Sequence, residues 1–325
     1  MEHRHLGRTG LRVSRLGLGT LTWGRDTGER DAADQLKSFW EAGGSLVDTA
    51  DVYADGGAEY LLGRLIEDLV PRSDLVIATK AGSVPDPERR FDTSRGHLLA
   101  ALDASLQRLG TDHVDLWQVH AYDPGTPLEE TLQALDIAVS SGRARYVGVS
   151  NFCGWQLAKA ASWQLASPGR TPLASTQMEY SLLQRGVERE VLPAAVDLGV
   201  GLLPSSPLGR GVLTGKYRNG TPADSRGSSG MAAFVAPYLD DTAGLIVDAL
   251  AIAADGLAVS PLHVALAWVR DRPGVTAPIL GARNAAQLGA ALSVEGLTLP
   301  EEICSALDDV SAPLHRYPDH DWTTL

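Results

Sequence analysis

Four residues that could cooperate in proton transfer stand at or just after the ends of predicted strands. Asp48 and Tyr53 lie in SLVDTADVYADGGAEYLLG, Lys80 closes LVIATK, and His120 closes VDLWQVH. A lysine facing the interior is costly unless it is paired, and Asp48 on the neighbouring strand is the available partner. An ammonium beside the phenol of Tyr53 would lower the pKa of that phenol, and His120 would orient the group being protonated. The pattern predicts a site that protonates an oxygen as negative charge develops on it.

Each of these residues also has a structural interpretation. Asp48 and Lys80, taken alone, are equally consistent with an ion pair that only stabilises the interior. A lone tyrosine after a strand more commonly packs against the following helix, as Tyr53 would do. Only the occurrence of all four side chains in register favours catalysis.

Short apolar runs rich in β-branched residues alternate with longer segments of helical periodicity along most of the chain. The first predicted helix, over residues 30–44, places Ala33, Leu36 and Trp40 on one face. Further helices are predicted over residues 94–110, 127–142 and 260–274. About eight strands are predicted, namely RLGLGT, SLVDTA, LVIATK, VDLWQVH, ARYVGVSN, LASTQM, VGLLPSSP and VTAPILGA.

This alternation implies parallel strands, in either an open doubly wound sheet or a closed barrel. An open sheet that binds a dinucleotide usually carries a glycine fingerprint after its first strand, but Gly17, Gly19 and Gly24 have other offsets. We therefore predict an α/β fold, a (β/α)8 TIM barrel with extra C-terminal helices, as one domain over residues 1–325. Two short strands around RTGL are predicted to form an N-terminal β-hairpin that plugs the barrel.

In such a barrel all strands end at the same face, so the residues at their ends converge on one opening. Helix capping would explain serine, threonine, aspartate or asparagine there, but not lysine, histidine or glutamine. The loop over residues 217–240 has little periodicity and is predicted to be a lid or cofactor clasp. The residues at the predicted opening are Thr20, Asp48, Lys80, His120, Ser150, Asn151, Gln177, Ser205, Ser206, Gly281 and Arg283.

The composition limits the classes of partner. The 325 residues include 28 Lys and Arg against 40 Asp and Glu, a net charge of −12, which argues against nucleic acid or an anionic membrane as partner. The N-terminus lacks the features of a secretory signal, and no stretch is apolar enough to span a bilayer. Two cysteines cannot build a disulfide framework, and their histidine neighbours lack zinc-binding spacing. We therefore expect a cytoplasmic protein without a structural metal.

Seven motifs resemble those of the aldo-keto reductases in order and spacing. They extend from Gly17 to Leu288 and read GLGTLTWG, VDTADVY, ATK, QVH, VGVSNF, SSPLGRGVLTGKY and LGARNAAQL. By YSLLQR and SPLGRGVLTGKY, the chain is most similar to bacterial members that share features with the β subunits of voltage-gated potassium channels. The resemblance implies a (β/α)8 barrel that reduces an aldehyde or ketone with NADPH and without a metal.

The resemblance also implies roles for individual residues. Asp48, Tyr53, Lys80 and His120 match the catalytic tetrad, in which Tyr53 is the general acid and the hydride comes from C4 of the nicotinamide. The residues that match the cofactor site are Gly19, Thr20, Ser150, Asn151, Gln177, Ser205, Ser206, Pro207, Leu208, Gly209, Gly211, Lys216, Arg226, Gly281, Arg283 and Gln287.

Three features of this cofactor site affect affinity and cofactor choice. Arg283 favours NADPH over NADH, because a guanidinium suits a 2′-phosphate and no nearby acid is positioned to accept a ribose hydroxyl. Ser205 stands where many family members carry an aromatic residue that stacks on the nicotinamide. Ala290 and Ala291 lack the side-chain hydrogen bonds with which the family usually reads the adenine.

Three functions are compatible with these residues. The leading hypothesis is an NADPH-dependent carbonyl reductase, and the alternatives are a cofactor-binding regulatory or sensing subunit with little turnover and a lyase with a Schiff base on Lys80. The pairing with Asp48 disfavours the lyase. The expected substrate is a small carbonyl compound, near Trp23 after the first barrel strand and Trp322 in the C-terminal tail. The protein is expected to be a monomer or homo-oligomer.

Overall fold

A computed structural model of the protein describes residues 1–66, 68–86, 88–228 and 230–313. These residues form a two-stranded sheet and an eight-stranded sheet. All eight predicted strands are present, as β3 to β10. The strands are β1 (His3–His5), β2 (Arg12–Ser14), β3 (Gly17–Gly19), β4 (Leu46–Asp48), β5 (Val76–Ala81), β6 (Val114–Val119), β7 (Ala144–Ser150), β8 (Leu173–Glu179), β9 (Gly201–Ser205) and β10 (Ile279–Gly281).

The eight-stranded sheet is parallel and runs in the order β10-β3-β4-β5-β6-β7-β8-β9. Its two end strands also meet, since Leu202 of β9 forms a parallel bridge with Val275, just before β10. The amide of Thr276 donates to the Leu202 carbonyl at 2.8 Å. The sheet closes through this bridge, which confirms the predicted TIM barrel in place of an open sheet.

Helices follow the barrel strands, because amphipathic segments bury their apolar face against the sheet. In α1, Leu36 is buried as predicted, but Gln35 and Phe39 fill the interior beside it. Ala33 and Trp40 of the predicted face are half-buried and pack against the edge of the core, and Trp40 donates from Nε1 to Asp74 Oδ2 at 3.1 Å. The helices are α1 (Glu29–Glu41), α2 (Gly57–Leu65), α3 (Arg95–Leu109), α4 (Leu128–Ser140), α5 (Gly154–Leu165), α6 (Val191–Leu198), α7 (Ala232–Val235), α8 (Asp241–Gly256), α9 (Pro261–Arg270), α10 (Ala285–Leu292) and α11 (Glu301–Val310).

The N-terminal hairpin plugs the barrel as predicted. Strands β1 and β2 are antiparallel, and the amide of Arg8 in the turn between them donates to the carbonyl of Gly199, which immediately precedes the loop into β9, at 2.7 Å. Leu6 and Val13 of the hairpin are fully buried. They form one apolar cluster with residues on or beside the barrel strands: Leu46, Ala78, Leu116, Ala174, Leu203, Ala277 and Ile279.

Two helices, α10 and α11, follow the last barrel strand, in agreement with the predicted C-terminal helices. Trp322 lies outside the described residues. Within the described residues, no single helix has the length and apolar character needed to cross a bilayer; α8 and α9 reach that threshold only as a pair bent by 100°. The same part of the chain contains no group of three or more His, Cys, Asp or Glu side chains arranged to hold a metal ion.

Candidate active site

A cavity of about 330 Å³ opens at the carboxyl ends of the barrel strands. It brings together three of the four predicted tetrad residues, and the fourth, Lys80, is fully buried beside Asp48. Most of the predicted cofactor residues on the strand ends line the same cavity. The predicted residues that line it are Gly19, Asp48, Tyr53, His120, Ser150, Asn151, Gln177, Ser205, Ser206, Pro207, Arg226 and Gly281.

The buried ion pair of Asp48 and Lys80 forms the base of this cavity. Lys80 Nζ lies 2.6 Å from Asp48 Oδ2 and also donates to the carbonyl of Thr49 at 2.9 Å. The other carboxylate oxygen of Asp48 accepts from Gln177 Nε2 at 2.8 Å. Burial alone would lower the pKa of Lys80, but Asp48 and Tyr53 outweigh it and raise that pKa above its ordinary value. Lys80 is therefore an ammonium, a form that cannot attack a carbonyl as a Schiff-base nucleophile.

A tight turn after β4 carries Tyr53 back over this ion pair. Ala54, Asp55 and Gly56 all have left-handed backbone, with φ of 51°, 52° and 86°, and this reverses the chain directly before α2. The Tyr53 ring centroid lies 5.3 Å from Lys80 Nζ. The turn therefore places the phenol beside the ammonium although 26 residues separate them in the sequence.

The pKa of Tyr53 differs from the sequence-based expectation. Burial raises it above the ordinary value of a phenol, while the Lys80 ammonium acts in the opposite direction and the Asp48 carboxylate adds to the rise. The expected lowering by Lys80 is thus present but is outweighed by burial. The phenol keeps its proton at neutral pH in this state, as a proton donor must.

His120 stands edge-on to Tyr53, with their ring centroids 6.0 Å apart and their planes at 77°. Burial and the nearby Lys80 ammonium lower the pKa of His120 to about 3. The imidazole is therefore neutral over the whole physiological range. A neutral imidazole has one N–H donor and one acceptor nitrogen, so His120 can orient an oxygen in the cavity without adding a charge.

Three polar side chains at the ends of β7 and β8 form a connected group. Ser150 Oγ donates to the carbonyl of Gln177 at 3.0 Å, and Asn151 Nδ2 donates to the carbonyl of His120 at 2.9 Å. Asn151 has a left-handed φ of 54°, a conformation that asparagine tolerates better than most residues. These bonds fix amide and hydroxyl groups at one wall of the cavity. Such a set of donors and acceptors suits a planar polar group such as a carboxamide.

The segment after β9 forms a second wall, and we call its residues 206–211 the clasp. Ser206 and Pro207 line the cavity, and two backbone bonds, Gly209 N to Ser206 O at 2.8 Å and Gly211 N to Leu208 O at 3.0 Å, fold the rest of the clasp. A Cβ atom at Gly211 would lie 3.3 Å from Lys216 Nζ. The clasp is therefore in close contact with a lysine that was predicted to bind the cofactor.

Three cations, which we call the cationic cluster, meet beyond the clasp: Lys216, Arg226 and Arg283. Burial lowers the pKa of Lys216, and the two guanidinium groups lower it further. Tyr217 acts in the opposite direction without cancelling this decrease. Arg283 Nη1 donates to the carbonyl of Asp224 at 2.8 Å, and its amide donates to Gln287 Oε1 at 3.0 Å. Arg283 Nη2 also lies 3.9 Å from an exposed carboxylate oxygen of Asp224. Three positive charges that repel one another favour an anion as an additional ligand.

Two sequence-predicted residues are placed differently by the structure. Trp23 is fully buried in the core and donates from Nε1 to Gln35 Oε1 at 3.1 Å, which corrects its predicted place in the substrate pocket; a large apolar ring next to the strand packs inward. Leu21 and Thr22 of the same loop line the cavity instead. Thr20 is fully buried, and its hydroxyl donates to the Asp48 carbonyl at 3.2 Å.

Six cavity-lining residues were not predicted as site residues: Leu21, Thr22, Glu179, Arg210, Phe234 and Ile279. The sequence does indicate two of them. Glu179 ends β8 two positions after the predicted residue Gln177, and Arg210 lies inside the predicted cofactor motif SPLGRG. Phe234 lies in the single-turn helix α7, inside residues 217–240, a segment that was predicted as a whole to be a lid or cofactor clasp because it shows little periodicity.

Asp51 provides a test of electrostatics beside the tetrad. Burial and the nearby Glu59 carboxylate raise the pKa of Asp51 from 3.8 to about 7. The folded protein therefore binds a proton between these two pH values that the unfolded chain releases, so this group lowers stability as pH rises through that window. A shift of this size corresponds to about 4 kcal/mol, at about 1.4 kcal/mol per pKa unit, and solvent access to the half-buried carboxylate reduces that value. We therefore expect Asp51→Asn to raise the free energy of unfolding at pH 8 by about 1–2 kcal/mol.

The measurement is urea unfolding at pH 8 and near pH 4. At the lower pH the two proteins should differ little, because Asp51 is then protonated in the folded state. Asp55→Asn, at an exposed neighbouring position, is the control and should show no comparable gain. A gain for Asp51→Asn that is the same at both pH values would contradict the assignment.

Known proteins with similar sequences cover almost the whole chain. The family model for the aldo/keto reductase family matches residues 15–312. The chain is 37% identical to "Uncharacterized oxidoreductase YrpG" of Bacillus subtilis, over 95% of this chain and 96% of the relative. It is 37% identical to "Probable voltage-gated potassium channel subunit beta" of Oryza sativa, over 98% of both chains. It is 32% identical to "Versiconal hemiacetal acetate reductase" of Aspergillus parasiticus, over 93% of this chain and 95% of that one.

Proposed function

Because the chain belongs to the aldo/keto reductase family, we propose that it reduces an aldehyde or ketone with NADPH and that Tyr53 donates the proton. The observation that carries this proposal is the meeting of four side chains at one cavity: the Asp48–Lys80 pair, the Tyr53 phenol over it and the neutral His120 beside the phenol. A structural ion pair alone would not require the phenol and the imidazole.

Each tetrad residue has a separate task in this proposal. Tyr53 Oη holds the proton and passes it to the substrate oxygen as negative charge develops there. The Lys80 ammonium stabilises the phenolate that remains, and Asp48 holds that ammonium in position. His120, being neutral, orients the substrate oxygen by a hydrogen bond. When bound, the nicotinamide supplies the hydride from its C4.

The described residues offer groups for the nicotinamide, pyrophosphate and 2′-phosphate of such a cofactor, whereas Ala290 and Ala291 offer no side-chain hydrogen bond to its adenine. Ser150, Asn151 and Gln177 offer the donors and acceptors that a carboxamide needs. The clasp offers backbone groups and small side chains for the pyrophosphate, and the cationic cluster suits a 2′-phosphate. Gln287, which accepts from the amide of Arg283, belongs to the adenosine end.

The proposal is tested by following NADPH absorbance with a panel of aldehydes and ketones. We expect turnover with NADPH that requires no added metal. Purified protein that binds NADPH but reduces no carbonyl compound would contradict the catalytic part of the proposal. Protein that binds neither NADPH nor NADH would contradict the whole.

The cationic cluster makes a separate prediction about cofactor choice. We expect Arg283→Leu to raise the Kd of NADPH at least about tenfold, because a charge-assisted hydrogen bond contributes about 1.5–3 kcal/mol. The Kd of NADH, which has no 2′-phosphate, should change little. Titration calorimetry with both cofactors measures this, with Arg64→Leu as control because Arg64 is 53% exposed on α2 and pairs with Glu29. Equal weakening of both cofactors would contradict a phosphate contact.

A second candidate, a cofactor-binding regulatory subunit with little turnover, is favoured by the relative from Oryza sativa that is named as a potassium channel β subunit. Such a protein would hold NADPH tightly and bind a membrane protein. Recovery of a stable membrane complex by affinity purification, with negligible rates on every carbonyl compound, would favour it over the reductase.

A further inference from the structure

The clasp is held in a strained conformation. Four of its residues have left-handed backbone: Ser206 (φ 49°), Gly209 (53°), Arg210 (58°) and Gly211 (97°). Glycine adopts this region freely, but Ser206 and Arg210 have a Cβ that disfavours it. A loop with such residues keeps its shape only if contacts outside the loop hold it.

Arg210 makes those contacts in two directions. Its Nε and Nη2 donate to the two carboxylate oxygens of Glu179 at 2.9 and 2.6 Å. Its Nη1 donates to the carbonyl of Phe234 at 2.6 Å. One guanidinium thus ties the clasp to the end of β8 on one side and to α7 on the other.

Ring contacts fix the plane of this guanidinium. Its central carbon lies 4.0 Å from the ring centroid of Phe234 and 5.0 Å from that of Tyr238. The ion pair of Arg210 and Glu179 is largely removed from solvent, because the two side chains are exposed by only 18% and 23%. Both the two parallel hydrogen bonds to one carboxylate and the stacking on a ring require a planar guanidinium, which arginine has and lysine lacks.

The position of this group relates it to the cofactor. Glu179, Arg210 and Phe234 all line the same cavity as the tetrad, and Arg210 lies between Pro207 and Lys216, which are predicted to contact the cofactor. We propose that Glu179 and Arg210 are positioning residues that hold the clasp closed, so that the opening of this pair sets the rate at which the cofactor leaves. We call the pair of Glu179 and Arg210 the latch. This role depends on the proposed use of NADPH as cofactor.

A different role for Arg210 would give the opposite behaviour. If the guanidinium itself gripped the pyrophosphate, Glu179 would compete with the phosphates for it, and removing the carboxylate charge would strengthen binding. In the latch, Glu179 keeps Arg210 in place, and removing that charge speeds cofactor release. The effect of Glu179→Gln on the release rate therefore has opposite signs in the two cases.

The experiment is stopped-flow displacement of bound NADPH, followed by its fluorescence. We expect Glu179→Gln and Arg210→Met each to speed release by about tenfold, as the loss of about 1.4 kcal/mol would. The double variant should release no faster than the single ones, because both remove the same contact. Arg210→Lys, which retains the charge without the fork, should also release quickly.

The control is Arg64→Met, which removes an arginine on α2 whose pair with Glu29 is 53% and 51% exposed, and it should leave release unchanged. The free energy of unfolding of each variant, measured without cofactor, separates a folding defect from an effect on release. If Arg210→Met is unstable, Arg210→Lys takes its place in the release experiment. Slower release by Glu179→Gln, or additive effects in the double variant, would overturn the latch. Failure of the unaltered protein to bind NADPH would overturn the proposed function and the latch together, whereas normal binding with unchanged release in the variants overturns the latch alone.

Discussion

Replacing Tyr53 by phenylalanine is expected to lower kcat for carbonyl reduction by about 10³-fold, while NADPH still binds. A positioned general acid accelerates a reaction by about 10²–10⁴-fold. Among the described residues that line the cavity, Tyr53 is the only one with a phenol, and its ring lies next to Lys80 Nζ. The ring itself stays, so its packing against the cavity wall is retained. The loss should therefore fall on the chemical step and spare cofactor affinity.

The matched control is Tyr60→Phe, which makes the same change seven positions later on α2, where the side chain is 58% exposed. It should leave kcat, the Kd of NADPH and stability unchanged. Steady-state kinetics, fluorescence titration with NADPH and urea unfolding of all three proteins give the comparison. If Tyr53→Phe retained most of its turnover, the proton would have another source and the assignment of Tyr53 would be wrong.

Replacing Lys80 by methionine is expected to destabilise the fold by about 3–5 kcal/mol and to abolish most activity. Removing one member of a buried ion pair leaves the other charge uncompensated, which typically costs that much. Lys80 and Asp48 are exposed by only 0% and 3% in their side chains. Gln177 still donates to Asp48, but a neutral amide replaces only part of what the ammonium provided.

A double variant separates the charge effect from lost packing. Lys80→Met with Asp48→Asn removes both charges, and we expect it to recover about half of the lost stability while remaining inactive. Lys37→Met is the control, because Lys37 pairs with Glu41 at 3.9 Å on the surface with both side chains more than half exposed. That variant should change stability by less than about 0.5 kcal/mol. A similarly small change for Lys80→Met would mean that the pair is not as buried as these contacts indicate.

The strands and their order followed from local patterns. Runs such as VDLWQVH and ARYVGVSN are predominantly apolar over the length of one strand and end in a polar residue, and that pattern does not depend on the rest of the chain. Helix faces were less secure. Trp40 has the spacing of an inward residue, but the neighbouring Phe39 and Gln35 occupy the interior, because a rotation of the helix by a fraction of a turn exchanges adjacent positions.

Sequence alone predicted the barrel, the polar residues at its opening and the four side chains proposed as a catalytic tetrad, since periodicity, strand ends and family motifs can be read directly from the order of the residues. Only the tertiary structure decided how deeply each group is buried and what it meets. It placed Trp23 in the core and made burial outweigh Lys80 at Tyr53. It also joined Arg210 to Glu179, 31 positions apart. Burial and long-range pairing depend on distances between elements, and these distances exist only once the barrel has closed.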